Sequence, residues 1–198
     1  MPHPPNRLPR ALRALTLGTL FVGLVQGCVP LSREPFYFPT EPEPLPGLAG
    51  LWREIAADPG ADGTGGPVEL RARADRYDAV QGFEGEPELV VFTVEGQTFL
   101  DWSIGTEGER AHTLARLRLA GDQLEVFPLA DDCLEESLSN GALEAAHTID
   151  SGDLLLTGPT TELRAILRFG LAHGCFEARP ALVFTRVAPQ TPRPEATP

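Results

Sequence analysis

The chain has 198 residues, with 28 acidic against 16 basic side chains and a net charge of −12. An acidic surface of that size repels phosphate backbones and anionic headgroups, which argues against nucleic acid as a partner. All the basic residues are Arg, and twenty Gly and twenty Pro accompany them, a bias that reads as GC-rich coding rather than as a functional choice.

Met1 to Arg13 carries Arg7, Arg10 and Arg13 and no acid, and an uncharged apolar run from Ala14 to Val25 follows. That run is shorter than the roughly 20 residues a spanning helix needs and fits the roughly 7–15 of a signal-peptide apolar region. Residues 1–27 therefore read as a signal peptide. The run ends in Leu24-Val25-Gln26-Gly27-Cys28, which resembles the lipobox of bacterial lipoproteins: an aliphatic residue three before the cysteine, then a small residue beside it. Gln26 departs from the usual choice. The resemblance implies that Cys28 is diacylated on sulfur and becomes the first residue of the mature protein. Two or more acyl chains, at about 0.8 kcal/mol per buried CH₂, anchor stably. An ordinary secretory peptide, or an uncleaved anchor with an incidental cysteine, are the other readings. Val29 stands where some lipoproteins carry an inner-membrane retention Asp, so the resemblance points to the cell envelope, at the outer membrane and facing the periplasm. The leader removes three Arg and no acid, which leaves thirteen Arg against 28 acids beyond it.

Residues 28–47 read as lipid anchor and tether. Pro30, Pro35, Pro39, Pro42, Pro44 and Pro46 favour an extended polyproline-like course, at about 3.1 Å per residue a reach of roughly 60 Å. Phe36-Tyr37-Phe38 within it is expected to dock on the core or on the membrane interface. Residues 48–187 form one β-rich globular domain, and 188–198, with four more prolines, a disordered tail.

Within the domain the dominant pattern has period two. Val68, Leu70, Ala72 and Ala74 alternate with charged residues, and Leu89 to Val94 is nearly continuous apolar strand. Glu95-Gly96-Gln97 turns it back so that Leu100, Trp102 and Ile104 share a face opposite Asp101 and Ser103. Thr113, Ala115, Leu117 and Leu119, a turn at Gly121-Asp122, then Leu124 and Val126 predict a second hairpin. Asp153–Thr157 and Ala181–Val187 read as later strands. Asp132-Cys133-Leu134-Glu135 has capping-box spacing for a short helix stopping near Asn140-Gly141. A second helix is predicted from Pro159 to about His173, with Leu163, Ile166, Leu167 and Leu171 on one face and Gly174 as its C-terminal cap. The fold class is mainly β, an antiparallel meander or closed barrel with two short helices late in the chain, and α+β as the alternative.

Gly50-Leu51-Trp52-Arg53-Glu54-Ile55-Ala56 resembles the first-strand motif of lipocalins, with Arg53 replacing the usual aromatic residue. In that superfamily an Arg near the barrel's end packs over the Trp and closes the bottom. Arg186 shares parity with Leu182 and Phe184 and is the residue for this part, since an indole face suits a buried guanidinium. The Arg here follows a helix, nearer the arrangement of fatty-acid-binding barrels, and no Thr-Asp-x-x-Tyr motif is present. The core also resembles bacterial envelope proteins with a Phe-Leu-Asp strand, a Gly-Asp hairpin and a late Glu-Leu helix, which implies no activity. A lipocalin-like barrel implies a small apolar molecule or lipid as ligand, lined by Leu100, Trp102, Leu117, Val126 and Phe184, with Trp102 the ring expected to touch it. The same residues equally describe a filled core.

Cys133 and Cys175 form an even pair in an oxidising compartment and are expected to be disulfide-bonded. Two buried thiols, or a metal site with His147 or His173, are the alternatives. No GxSxG, HExxH, P-loop or GxGxxG occurs, and His112, His147 and His173 fall in no interpretable constellation, so neither a catalytic site, a cofactor nor a metal is expected. Asp58 to Glu69 places acids at some calcium-loop positions, but Gly60 at the third, two prolines and flanking strands favour a hairpin loop. The expected function is a lipid-anchored, non-catalytic envelope protein binding an apolar ligand. A structural or protein-interaction lipoprotein with a filled core is the alternative.

Overall fold

A computed structural model of the chain describes residues 29–55, 66–81, 87–104, 110–150 and 153–188. The lipobox with Cys28, most of the calcium-like stretch and the tail from 189 onward lie outside these residues. Eight antiparallel strands close into a barrel. In order around the ring they are β2 (Gly50–Ile55), β3 (Pro67–Ala72), β4 (Tyr77–Gln81), β5 (Glu88–Val94), β6 (Gln97–Ile104), β7 (Ala111–Ala120), β8 (Gln123–Pro128) and β11 (Leu182–Arg186). The last strand closes on the first, with Arg186 opposite Trp52 and Val183 opposite Ile55. Closure leaves these strands no free edge, which is how a twisted sheet avoids exposing unpaired backbone.

Between β8 and β11 the chain makes an excursion on the barrel's outer wall. It comprises helix α1 (Asp131–Ser139), the hairpin β9 (His147–Asp150) and β10 (Asp153–Leu156), and helix α2 (Thr160–His173). A two-residue strand β1 (Leu31–Ser32) joins this hairpin to the barrel, parallel to β10 and antiparallel to β7. The expected strands at 89–94, 100–104, 113–126, 153–157 and 181–187 are all present. β1, β4 and β9 were not anticipated. Ala74 falls in the β3–β4 turn rather than in β3. Helix α1 starts two residues earlier than the capping-box spacing predicts. Ala130 caps it without a side-chain bond, and Asp131 and Asp132 occupy its first turn, where carboxylates favour the helix dipole. α2 ends as expected, on Gly174 at φ 72°.

Two apolar clusters result. One fills the barrel, around Trp52, Leu70, Tyr77, Leu100, Trp102 and Phe184. The other lies between its outer wall and the helices, around Phe36, Phe92, Phe99, Leu134, Leu163 and Leu167. β5 serves both, with Leu89 and Val91 inward and Phe92 and Val94 outward. A strand buried on two faces reads as a continuous apolar run, which is the pattern of Leu89 to Val94. Asp101 and Ser103 do face away from Leu100 and Trp102, but into the outer cluster rather than into water.

The largest departure from expectation is the tether. Residues 29–48 form a strap bound along the barrel. Phe36 is fully buried in the outer cluster, Glu41 pairs with Arg164 at 3.0 Å, and Thr160 Oγ1 donates to the Pro35 carbonyl. Among the described residues the seam between β4 and β5 has two paired positions, Tyr77↔Leu89 and Asp78↔Glu88, and the strap bridges it. The Glu43 N–H donates to the Val91 carbonyl of β5 at 2.8 Å, and the Tyr77 hydroxyl of β4 donates to the Leu45 carbonyl at 3.0 Å. Proline lacks an N–H and so cannot extend a sheet. The strap therefore docks through its carbonyls, its side chains and the few donors between its prolines. Burial of Phe36 alone is worth about 2–3 kcal/mol, enough to favour a fixed course over an extended one.

Candidate functional site

The barrel's two ends differ. At one, β3–β4, β5–β6 and β7–β8 are joined by the short turns 73–76, 95–96 and 121–122. At the other, the connections 56–66, 82–87 and 105–110 are longer. The tight-turn end is sealed by Arg186, whose guanidinium carbon lies 4.3 Å from the centroid of Trp52. Its Nη1 donates to the Ala49 carbonyl at 3.0 Å and its Nη2 to the Gly47 carbonyl, while Nε lies 3.3 Å from Asp122. The indole Nε1 in turn donates to the Leu48 carbonyl at 2.8 Å. Gly50 makes this fit possible. At φ 141° it occupies backbone space that side chains avoid, and a Cβ there would stand 2.5 Å from Arg186 Nη1. Arg186→Ala removes the cation–π contact and two charged donors to backbone carbonyls, a loss of about 2–4 kcal/mol. Urea unfolding measures it, and Arg186→Lys, which lacks the planar fork, should recover less than half.

All five residues expected to line a ligand site lie inside the barrel. Leu100, Leu117, Val126 and Phe184 border a wholly apolar cavity of ≈ 40 Å³, together with Leu48, Trp52, Val68, Leu70, Leu89 and Leu124. Trp102 is buried beside Thr113 on the neighbouring strand but does not border the cavity; the rings that do are Trp52 and Phe184. Leu48 reaches the interior from the strap, not from a strand, a contribution no alternation pattern reveals. Small-molecule pockets occupy about 300–1,000 Å³, so this void holds one or two methyl-sized groups.

Cys133 and Cys175 are disulfide-bonded, with Cα atoms 5.5 Å apart, which removes the thiol and metal alternatives. His147 and His173 instead bond locally to the carbonyls of Ala145 and Phe169. Glu69, the last residue of the calcium-like spacing, is paired with Arg71 on β3.

One polar cluster escaped the sequence altogether. Asp101 on β6, 1% exposed, faces His112 Nδ1 on β7 at 2.8 Å and accepts the Phe36 N–H of the strap at 2.8 Å. Burial pushes its carboxyl above the ordinary range, while the bonds from His112 and Phe36 pull it down. The available signal was that Asp101 stands between Leu100 and Trp102 on a strand flanked by apolar neighbours, and that β6 pairs with β7 so as to bring a histidine near. A groove of ≈ 460 Å³ on the outer wall, between α1 and β9, is lined by Asp132, Glu135 and Glu136 together with Ile149 and Leu154. Among the described residues no helix is long and apolar enough to cross a membrane.

The fold thus defines a closed eight-stranded antiparallel barrel with a strapped seam and one sealed end. Comparison with protein families, with curated proteins and with solved structures finds no match.

Proposed function

We propose that this is a lipid-anchored, non-catalytic protein of the cell envelope, held at Cys28 to the outer membrane facing the periplasm, whose barrel is a rigid packed scaffold for contact with other envelope components. The observation that carries this reading is the filled interior, where the ten lining side chains leave only ≈ 40 Å³. The buried Asp101–His112 pair supports it, since Asp101 accepts the Phe36 N–H of the strap and so serves to hold that segment. The anchor itself rests on the leader and lipobox.

Two measurements test the two halves. Growth with an alkyne fatty acid should label the wild-type protein and not Cys28→Ser; equal labelling, or none, removes the anchor. For the core, the chain from Val29 onward is exported behind an ordinary secretory leader and weighed intact under native conditions. A bare mass, unchanged on offering fatty acids or phospholipids, is the expected result. An excess mass that organic solvent extracts would reinstate an apolar ligand, with Leu48 as the side chain it displaces.

A further inference from the structure

We propose that the protein lies directly against a zwitterionic phospholipid bilayer, with the wall that carries the β9–β10 hairpin facing the lipid. This rests on the reading of Cys28 as lipidated. Only Val29 and Pro30 separate Cys28 from β1; Pro30 is buried and Val29 is half-buried, so the link carries no slack. At about 3.6 Å per residue the Cα of Leu31 stands within roughly 11 Å of that of Cys28. An acylated cysteine sits at the headgroup layer, itself about 5–8 Å thick. The wall beside β1 is therefore held at the lipid surface, in place of a domain suspended some 60 Å away.

Which wall this is follows from the strand directions. β1 runs parallel to β10, with Leu31 opposite Leu155, so the chain upstream of β1 leaves on the side where β10 begins. β9 ends the strand order, and its Ile149, opposite Leu154, is 64% exposed, the highest value among the exposed large apolar side chains described. Leu154 is buried, so Ile149 continues the outer cluster outward onto the sheet edge. A bilayer interface covers such a residue and hydrates the open strand edge beside it. Asp132, Glu135 and Glu136 line the adjoining groove, and carboxylates close to the surface disfavour anionic lipid. That selects a zwitterionic surface.

The test uses the full lipidated protein in phosphatidylcholine vesicles. An environment-sensitive fluorophore is placed at Ile149→Cys, or at Arg71→Cys on β3, across the ring from β7. Vesicles containing chain-spin-labelled phosphatidylcholine should quench position 149 at least twofold and leave position 71 unchanged, and replacing a third of the lipid by phosphatidylglycerol should weaken the quenching. A ten-residue Gly-Ser insertion between Cys28 and Val29 should abolish quenching at 149 while the protein still floats with vesicles. Flotation without quenching at 149, or with equal quenching at both positions, overturns the apposition and leaves the anchor standing. Failure to float overturns both.

Discussion

Asp101→Ala is expected to cost about 2–5 kcal/mol, because it removes a buried hydrogen-bond partner from two groups and leaves them unsatisfied. Asp101 is the one acceptor shown for the Phe36 N–H and the carboxylate facing His112, and its loss leaves both without that partner inside an apolar cluster. The strap should loosen with it, since Phe36 is the fully buried residue of that segment next to this bond. Asp101→Asn keeps an oxygen for the Phe36 N–H and should lose only about 1–2 kcal/mol. Urea unfolding at pH 7 measures both, and a loss below 1 kcal/mol for Asp101→Ala would show that the strap is held by its other contacts.

The same residue gives a pH dependence with a definite sign. Burial, the largest influence, raises the Asp101 carboxyl above its unfolded value. As pH rises from about 4, the unfolded chain gives up this proton first, while the folded chain still holds it. Asp101 therefore contributes stability that is fully present below the unfolded value and is lost as pH rises through the folded one. The stability of the wild type relative to Asp101→Asn should improve on acidification from neutral pH. The opposite slope would mean that the bonds from His112 and Phe36 outweigh desolvation.

Removing the Cys133–Cys175 disulfide is the second large effect. The bond spans a sequence separation of 42, and the loop it closes contains α1, the β9–β10 hairpin and α2. Chain entropy alone sets its contribution at up to about 4 kcal/mol. Cys175 also sits against the barrel wall, where its carbonyl accepts the Ala130 N–H at 2.8 Å and its neighbour Phe176 bridges to Leu129. Cys133→Ala with Cys175→Ala should lower the thermal midpoint by roughly 10 °C or more and loosen the excursion before the barrel. Hydrogen exchange should show α1 and α2 opening ahead of β5, β6 and β7. Uniform loss of protection would instead make the excursion and the barrel one cooperative unit.

The candidate site was legible in part. Trp52 and Arg186 pair as motif and strand parity indicated, because both signals are local: a short first-strand pattern and an apolar alternation that carries Arg186 with Phe184. The inward set Leu100, Leu117, Val126 and Phe184 was legible for the same reason. The Asp101–His112–Phe36 cluster was not, since its members lie on β6, β7 and the strap. An alternating pattern marks Asp101 as facing away from the core without saying that a second core waits on that side.

What the sequence by itself determined are the features written in neighbouring residues. The period-two strands, the tight turns at Gly96 and Gly121, the helix ending on Gly174 and the acidic balance each follow from side-chain alternation, positive φ or composition. Tertiary structure decided the rest. It folded the proline-rich strap along the β4–β5 seam and set how much space the interior keeps. Each of these depends on contacts between residues far apart in the chain, where volumes and hydrogen bonds become definite only once the ring has closed.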